Sequence, residues 1–159
     1  MKIRSSALGF TLMELILVVV LLSILSLFAA SRFMGSSSFS AYTLQERVIS
    51  VIRQVQVNRM QSNVASPDNN FRLQVSSLCV GSVAACELTD SAQDARSDVV
   101  IDKSAKFSVI SGAANTINFN LLGNPVSGAV NILIEDKHGR SRCQVEINSQ
   151  GYVSKGTCS

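Results

Sequence analysis

Apolar and polar positions divide the chain into three stretches of different period. From Gly9 to Ala30, GFTLMELILVVVLLSILSLFAA, almost every position is apolar and one carboxylate, Glu14, interrupts the run. A run with no polar face needs an apolar surrounding on all sides, and from Phe10 to Ala30 it reaches the ~20 residues that a membrane-spanning helix requires. Lys2 and Arg4 precede it, which favours keeping that end in the cytoplasm. A cleaved secretory signal fits less well than an anchor, because Glu14 falls early in the apolar run and Phe28-Ala29-Ala30 is a poor cleavage site. Glu14 itself needs a reason, since an ionised side chain in hydrocarbon costs about 2.5–3.5 kcal/mol on insertion scales.

Beyond Ser31 the period becomes helical. Ala41, Leu44, Val48, Ile52 and Val55 recur at spacings of three and four, while Gln45, Glu46, Arg53, Gln54 and Arg59 take other faces, so an amphipathic helix is expected to lie on a globular core. No proline occurs before Pro67, and helix can run from Phe10 to about Ala65, roughly 80 Å. Gly35 with Ser36 to Ser38 is its weak spot, where a bend or local melting is expected. SPDNN, Ser66 to Asn70, ends it with turn chemistry.

From Phe71 the runs FRLQV, VVIDKSAKFSVI, TINFNLL, VNILIED and RCQVEIN read as strands, and KHGR between the last two predicts a hairpin. The tail GYVSKGTCS is expected to return beside it, and Glu87 to Asp98 reads as an exposed polar loop. The expected fold is α+β: a long N-terminal α-helix, with a membrane half over 10–31 and an amphipathic half over 32–65, packed on an antiparallel β-sheet domain over 66–159.

Charge changes this picture little. Of 14 Lys and Arg, three (Lys2, Arg4, Arg32) flank the apolar run, and of 11 Asp and Glu one (Glu14) lies within it. The remaining charges nearly cancel, which implies no strong electrostatic surface for nucleic acid. The four cysteines, Cys79, Cys86, Cys143 and Cys158, all lie beyond the apolar run, as expected of an oxidising exterior compartment. Three pairings are possible, and proximity favours Cys79 with Cys86 and Cys143 with Cys158. A metal site is not expected, because there is no CxxC and His138 is the one histidine.

Catalytic chemistry has few candidates. His138 lies in the turn signal Lys137 to Arg140, where a general base has nothing to act with. Asp90, Asp94 and Asp98 fall four apart within a Ser- and Ala-rich tract and read as solvated charge. There is no Gly-rich phosphate loop, and neither an enzymatic activity nor a cofactor is expected.

The sequence G-F-T-L-M-E-L, Gly9 to Leu15, after a short basic leader resembles the cleavage and assembly signature of type IV prepilins and type II secretion pseudopilins. The resemblance implies a leader over 1–9, cutting between Gly9 and Phe10 by a prepilin peptidase, and N-methylation of Phe10. It also implies that Glu14 pairs with the amine of Phe10 on a neighbouring subunit, which would supply the cation a desolvated carboxylate needs. The later half is similar to the GspH/FimT-like subgroup, in which a Phe and a Gly precede a strand, a Gly-Arg turn and a final strand ending in Gly; Phe119, Gly123, Gly139, Arg140 and Gly151 fit these places. The Cys143 and Cys158 pair also resembles the C-terminal disulfide loop of many pilins. Unlike many pilins, the chain has no proline in its apolar run.

The function so implied is that of a minor pilin, of the kind found in mannose-sensitive haemagglutinin pili, which primes or supports pilus assembly and thereby surface attachment. Its implied partners are the prepilin peptidase, major and minor pilins and an inner-membrane assembly platform. Its implied location is the bacterial inner membrane, single-pass with the domain in the periplasm, and then the pilus filament at the cell surface. Two rivals share the N-terminal physics. One is a pseudopilin of a type II secretion system. The other is a DNA-binding minor pilin using Arg140 and Arg142, although DNA-uptake relatives carry their Gly-Arg-x-Arg element near the last strand, where this chain reads Gly151, Tyr152, Val153 and Ser154. An adhesive surface on Cys79 to Cys86 and Glu87 to Asp98 is a further possibility.

Overall fold

The computed structural model describes residues 11–33, 40–112 and 114–159, with the backbone alone at 27–33, 40 and 90. The chain falls into two compact units, Met1–Ser36 and Ser37–Ser159.

The first unit contains helix α1, Leu12–Phe33. Thr11 precedes it, and its Oγ1 accepts the backbone N–H of Glu14 at 3.3 Å. Thr-x-x-Glu is a helix-start spacing, and it puts the Glu14 carboxylate in the first turn, where the helix dipole favours negative charge by about 0.3–1 kcal/mol. Ser23 and Ser26 donate to the carbonyls of Val19 and Leu22 one turn back, each at 2.7 Å, so the helix satisfies its own hydroxyls.

The second unit begins with α2, Ser40–Gln61, and continues through β1, Arg72–Val75, β2, Cys79–Ser82, and two short helices, α3, Val83–Cys86, and α4, Asp90–Asp94. Six strands follow: β3, Val99–Ile101; β4, Ala105–Ser111; β5, Thr116–Asn118; β6, Val130–Asp136; β7, Arg142–Ile147; and β8, Val153–Cys158. They form two antiparallel four-stranded sheets, one ordered β3-β2-β1-β5 and the other β4-β6-β7-β8.

Helix α2 packs on strands of both sheets. Its stripe Ala41, Leu44, Val48, Ile52 and Val55 is buried throughout, against Leu73, Val80 and Ile117 of one sheet and Ile132, Val145 and Val153 of the other. Strand β6 alternates buried and half-buried positions, the period-2 signature of a sheet with one face on a core. Its inward residues Val130, Ile132 and Ile134 lie opposite Ile147, Val145 and Cys143 of β7, so apolar side chains meet as cross-strand pairs.

The expected fold class is corrected in its helical part. Among the described residues there are two helices of 22 residues each in place of one long helix, they belong to different units, and within the second unit α2 packs on the sheets. The physical difference is in their faces. Helix α2 has a stripe to bury on a sheet and α1 is apolar all round. The expected bend at Gly35 lies outside the described residues.

The expected inner-membrane anchor is corrected as well. Among the described residues no helix is long and apolar enough to cross a membrane.

Two local expectations also change. The run VVIDKSAKFSVI divides at 102–104 into β3 and β4, which join different sheets, and β2, buried at every position, carries no alternation by which to read it as a strand. The tract Glu87 to Asp98 is exposed over most of its length, as expected, but not at its end: Arg96 grips Asp98 through two bonds, Nε to Oδ1 at 2.8 Å and Nη2 to Oδ2 at 2.7 Å, and Asp98 is buried. Burial alone would raise the Asp98 carboxyl, but hydrogen bonds from Arg96 and Ser82 and the Arg96 charge outweigh it and hold it below the ordinary carboxylate value.

A lowered folded value contributes stability that is complete above the unfolded value, about 4, and is lost as pH falls through the folded one. Acid titration of thermal stability should therefore show a decline below about pH 4 that Asp98→Asn reduces, and an unchanged acid limb in that variant would refute the assignment.

Candidate functional site

The residues singled out in the sequence fall in three places. Gly9 and Phe10, the expected processing site, lie outside the described residues. Glu14 lies at the start of α1, where each large apolar side chain from Leu12 to Leu25 is between 43% and 76% exposed. A helix that is apolar on every side is ordinarily buried, so α1 presents an unpartnered surface of the kind that other helices cover.

Both disulfides join the nearer cysteines. Cys143 and Cys158 are direct partners across β7 and β8, with Cα atoms 4.1 Å apart. The next pair outward, Arg142 and Ser159, exchanges both backbone hydrogen bonds at 2.8 Å, which leaves the cysteines at a closely spaced non-hydrogen-bonded position. Cys79 and Cys86 tie the start of β2 to the end of α3, and Ser82 between them caps α3 by accepting the Ala85 N–H at 3.1 Å. The Cys79 to Cys86 segment is therefore a strand and a helical turn within the fold, with Cys79, Val80, Ser82, Val83 and Ala85 buried.

Arg140 and Arg142 do not form a free cationic pair. Arg140 lies in the exposed turn between β6 and β7, and Arg142 Nη2 is held by Glu135 Oε1 at 2.8 Å. Glu135 is also the register partner of Lys106 on β4, so charges of both signs alternate across this sheet. His138 shares the exposed turn.

Phe119, Gly123 and Gly151 come together at the C-terminal end of α2. Gln56 Nε2 donates to the carbonyls of Gly123 at 2.9 Å and Gly151 at 2.8 Å, and Arg59 Nε donates to that of Phe119 at 3.1 Å. Gly151 has φ +80°, and a Cβ there would stand 2.4 Å from the Gly123 carbonyl oxygen, so glycine is required by both backbone conformation and close approach. Gln45, nearer the start of α2, donates to the carbonyls of Gln144 at 2.7 Å and Gly156 at 3.2 Å.

Gln45, Gln56 and Arg59 are 4%, 6% and 3% exposed, whereas two of them, Gln45 and Arg59, were expected on outer faces. The signal for Arg59 lies in the periodicity: Val48, Ile52, Val55 and Arg59 continue one stripe at spacings of four, three and four. Residue type pointed outward while position pointed inward, and the guanidinium is satisfied by the distant Phe119 carbonyl together with acceptors of the segment that follows the helix, Ser62, Val64 and Ala65.

Compared with known proteins, the chain matches no family model, no curated protein and no solved structure.

Two outcomes follow from this geometry. Gly151→Ala should lower unfolding stability by on the order of 2 kcal/mol, measured by denaturant titration, and wild-type stability in that variant would remove the close-approach argument. In gel shifts with duplex DNA at physiological salt, the chain should give no band that Arg140→Ala or Arg142→Ala abolishes; such a band would restore the DNA-binding reading.

Proposed function

We propose that this chain is a structural filament subunit, a minor pilin that primes or supports pilus assembly and thereby surface attachment. The observation that carries the reading is α1, apolar on all sides and exposed, with a first-turn carboxylate behind the G-F-T-L-M-E-L sequence. Packing α1 among equivalent helices would remove Leu, Ile and Val side chains from water, each contributing about 1.5–3 kcal/mol when fully covered. Driving assembly needs no catalytic group and no cofactor.

In this reading a prepilin peptidase cuts between Gly9 and Phe10, and Phe10 is N-methylated. Glu14 then has two roles: its charge suits the helix start, and among packed helices it pairs with the Phe10 amine of a neighbouring subunit. An α-amine has a reference pKa near 8 and is largely cationic at neutral pH, so the pair neutralises a carboxylate that would otherwise be stranded. The sheets of the second unit provide the surface that chooses partners among major and minor pilins.

The same observation serves a secretion pseudopilin, and one experiment separates the two. Deleting the gene should remove surface filaments counted by electron microscopy while the main pilin remains in the cell; normal filaments with failed protein secretion would favour the pseudopilin. Glu14→Ala should leave Gly9 cleavage intact, read as the N-terminal mass, and cut incorporation into sheared filaments at least tenfold. Normal incorporation of that variant would sink the pairing.

A further inference from the structure

A cleft of about 460 Å³ opens beside the C-terminal end of α2, lined by Arg59, Ala65, Pro67, Arg72, Asn118 and Val126 among others. Both of its charged residues are arginines, and among the described residues neither is in an ion pair. Arg59 is spent locally. Its Nε donates to the Phe119 carbonyl, Nη1 to Ser62 Oγ and the Val64 carbonyl at 2.8 Å each, and Nη2 to the Ala65 carbonyl at 3.3 Å. These neutral acceptors orient the guanidinium without cancelling its charge, so the wall of the cleft stays positive.

Arg72 differs. It is half-buried at the start of β1, and its Nε donates to Asn118 Oδ1 of the adjacent edge strand β5 at 2.9 Å. That bond fixes the plane of the guanidinium, and among the described residues its two terminal nitrogens have no acceptor. A guanidinium held at Nε and open at both Nη atoms offers the parallel fork that a carboxylate accepts in bidentate fashion. The lining adds an apolar element: Val126 is 70% exposed.

We propose that this cleft docks an acidic segment of a partner protein, with an Asp or Glu carboxylate on the Arg72 fork and an adjacent apolar side chain against Val126. Among the described residues no carboxylate pairs with this charge, and a buried cationic wall favours a carboxylate that reaches it. A nucleic-acid strand fits less well, because its phosphates repeat and need a basic track, whereas the cleft offers one open guanidinium. The surface belongs to the unit of α2 and the sheets, so the proposal stands independently of what covers α1.

The test is fluorescence anisotropy of the full chain with a labelled peptide of alternating Glu and Leu, and with a matched peptide carrying Gln in place of Glu. The Glu peptide should bind with salt-sensitive affinity, Arg72→Gln should weaken it at least tenfold, and Arg72→Lys, which keeps charge but loses the fork, should weaken it by a smaller factor. Arg140→Gln, remote in the β6–β7 turn, should bind as wild type. Circular dichroism melts of the Arg72 variants confirm folding, and the Gln peptide reports on carboxylate dependence with the unaltered chain. Absence of binding, equal binding of the Gln peptide, or an equal loss in Arg140→Gln would overturn the proposal. So would tighter binding of a labelled single-stranded oligonucleotide that Arg72→Gln also abolishes, or displacement of the peptide by free glutarate at the peptide's own concentration.

Discussion

The second unit depends on one constraint: α2 must bury an apolar stripe against two sheets while its buried polar side chains find acceptors on them. Leu44, Val48, Ile52 and Val55 supply apolar burial, which is non-directional and would tolerate a rotated or shifted helix. Gln45, Gln56 and Arg59 do not tolerate it. Each donates to backbone carbonyls at fixed places, and a buried donor left without its acceptor costs about 1–3 kcal/mol, more when charged. The stripe drives association and the polar pins fix its register.

These pins also reach the parts of the fold least able to hold themselves. Strand β8 is an edge of its sheet, and α2 covers it through Arg53 Nη2 on the Val153 carbonyl at 2.8 Å and Gln45 on that of Gly156, while Lys155 pairs with Glu46. An open edge is a template for unwanted pairing, and here side chains from the helix occupy some of its acceptors while Cys143–Cys158 locks its end. The disulfide and the pins act at different points on the same strand. The shared purpose of Gln56 and Arg59 is to draw Gly123, Gly151 and Phe119 to the end of α2, and this places the arginine cleft beside a rigid corner. A carboxylate-binding fork is useful only if its plane is fixed, and Asn118 on the edge strand β5 fixes it.

The two units therefore answer different physical demands. Helix α1 bonds its Ser23 and Ser26 hydroxyls to its own backbone and leaves its described apolar side chains outward, so its stability in water is poor. The sheet unit has a buried core and two disulfides. In the proposed reading as a filament subunit, the helix would serve packing and the sheet unit partner choice.

Period and residue type in the sequence were enough for the elements whose reasons are local. Strands β6, β7 and β8, the turn at Gly139 and the stripe of α2 follow from alternation, turn chemistry and helical spacing, because each depends on neighbours a few residues away. The all-apolar character of α1 was equally plain. Only the tertiary structure decided that α1 and α2 belong to separate units, that VVIDKSAKFSVI splits between two sheets, and that Arg59 and Gln45 are buried. It alone showed Asp98 gripped by Arg96 in a tract that reads as solvated. The cleft was not legible at all, since Arg59, Arg72 and Asn118 are far apart in the chain and no spacing rule connects them. A polar residue reads as exposed until its acceptor is known, and here the acceptors are backbone carbonyls, which have no sequence signature.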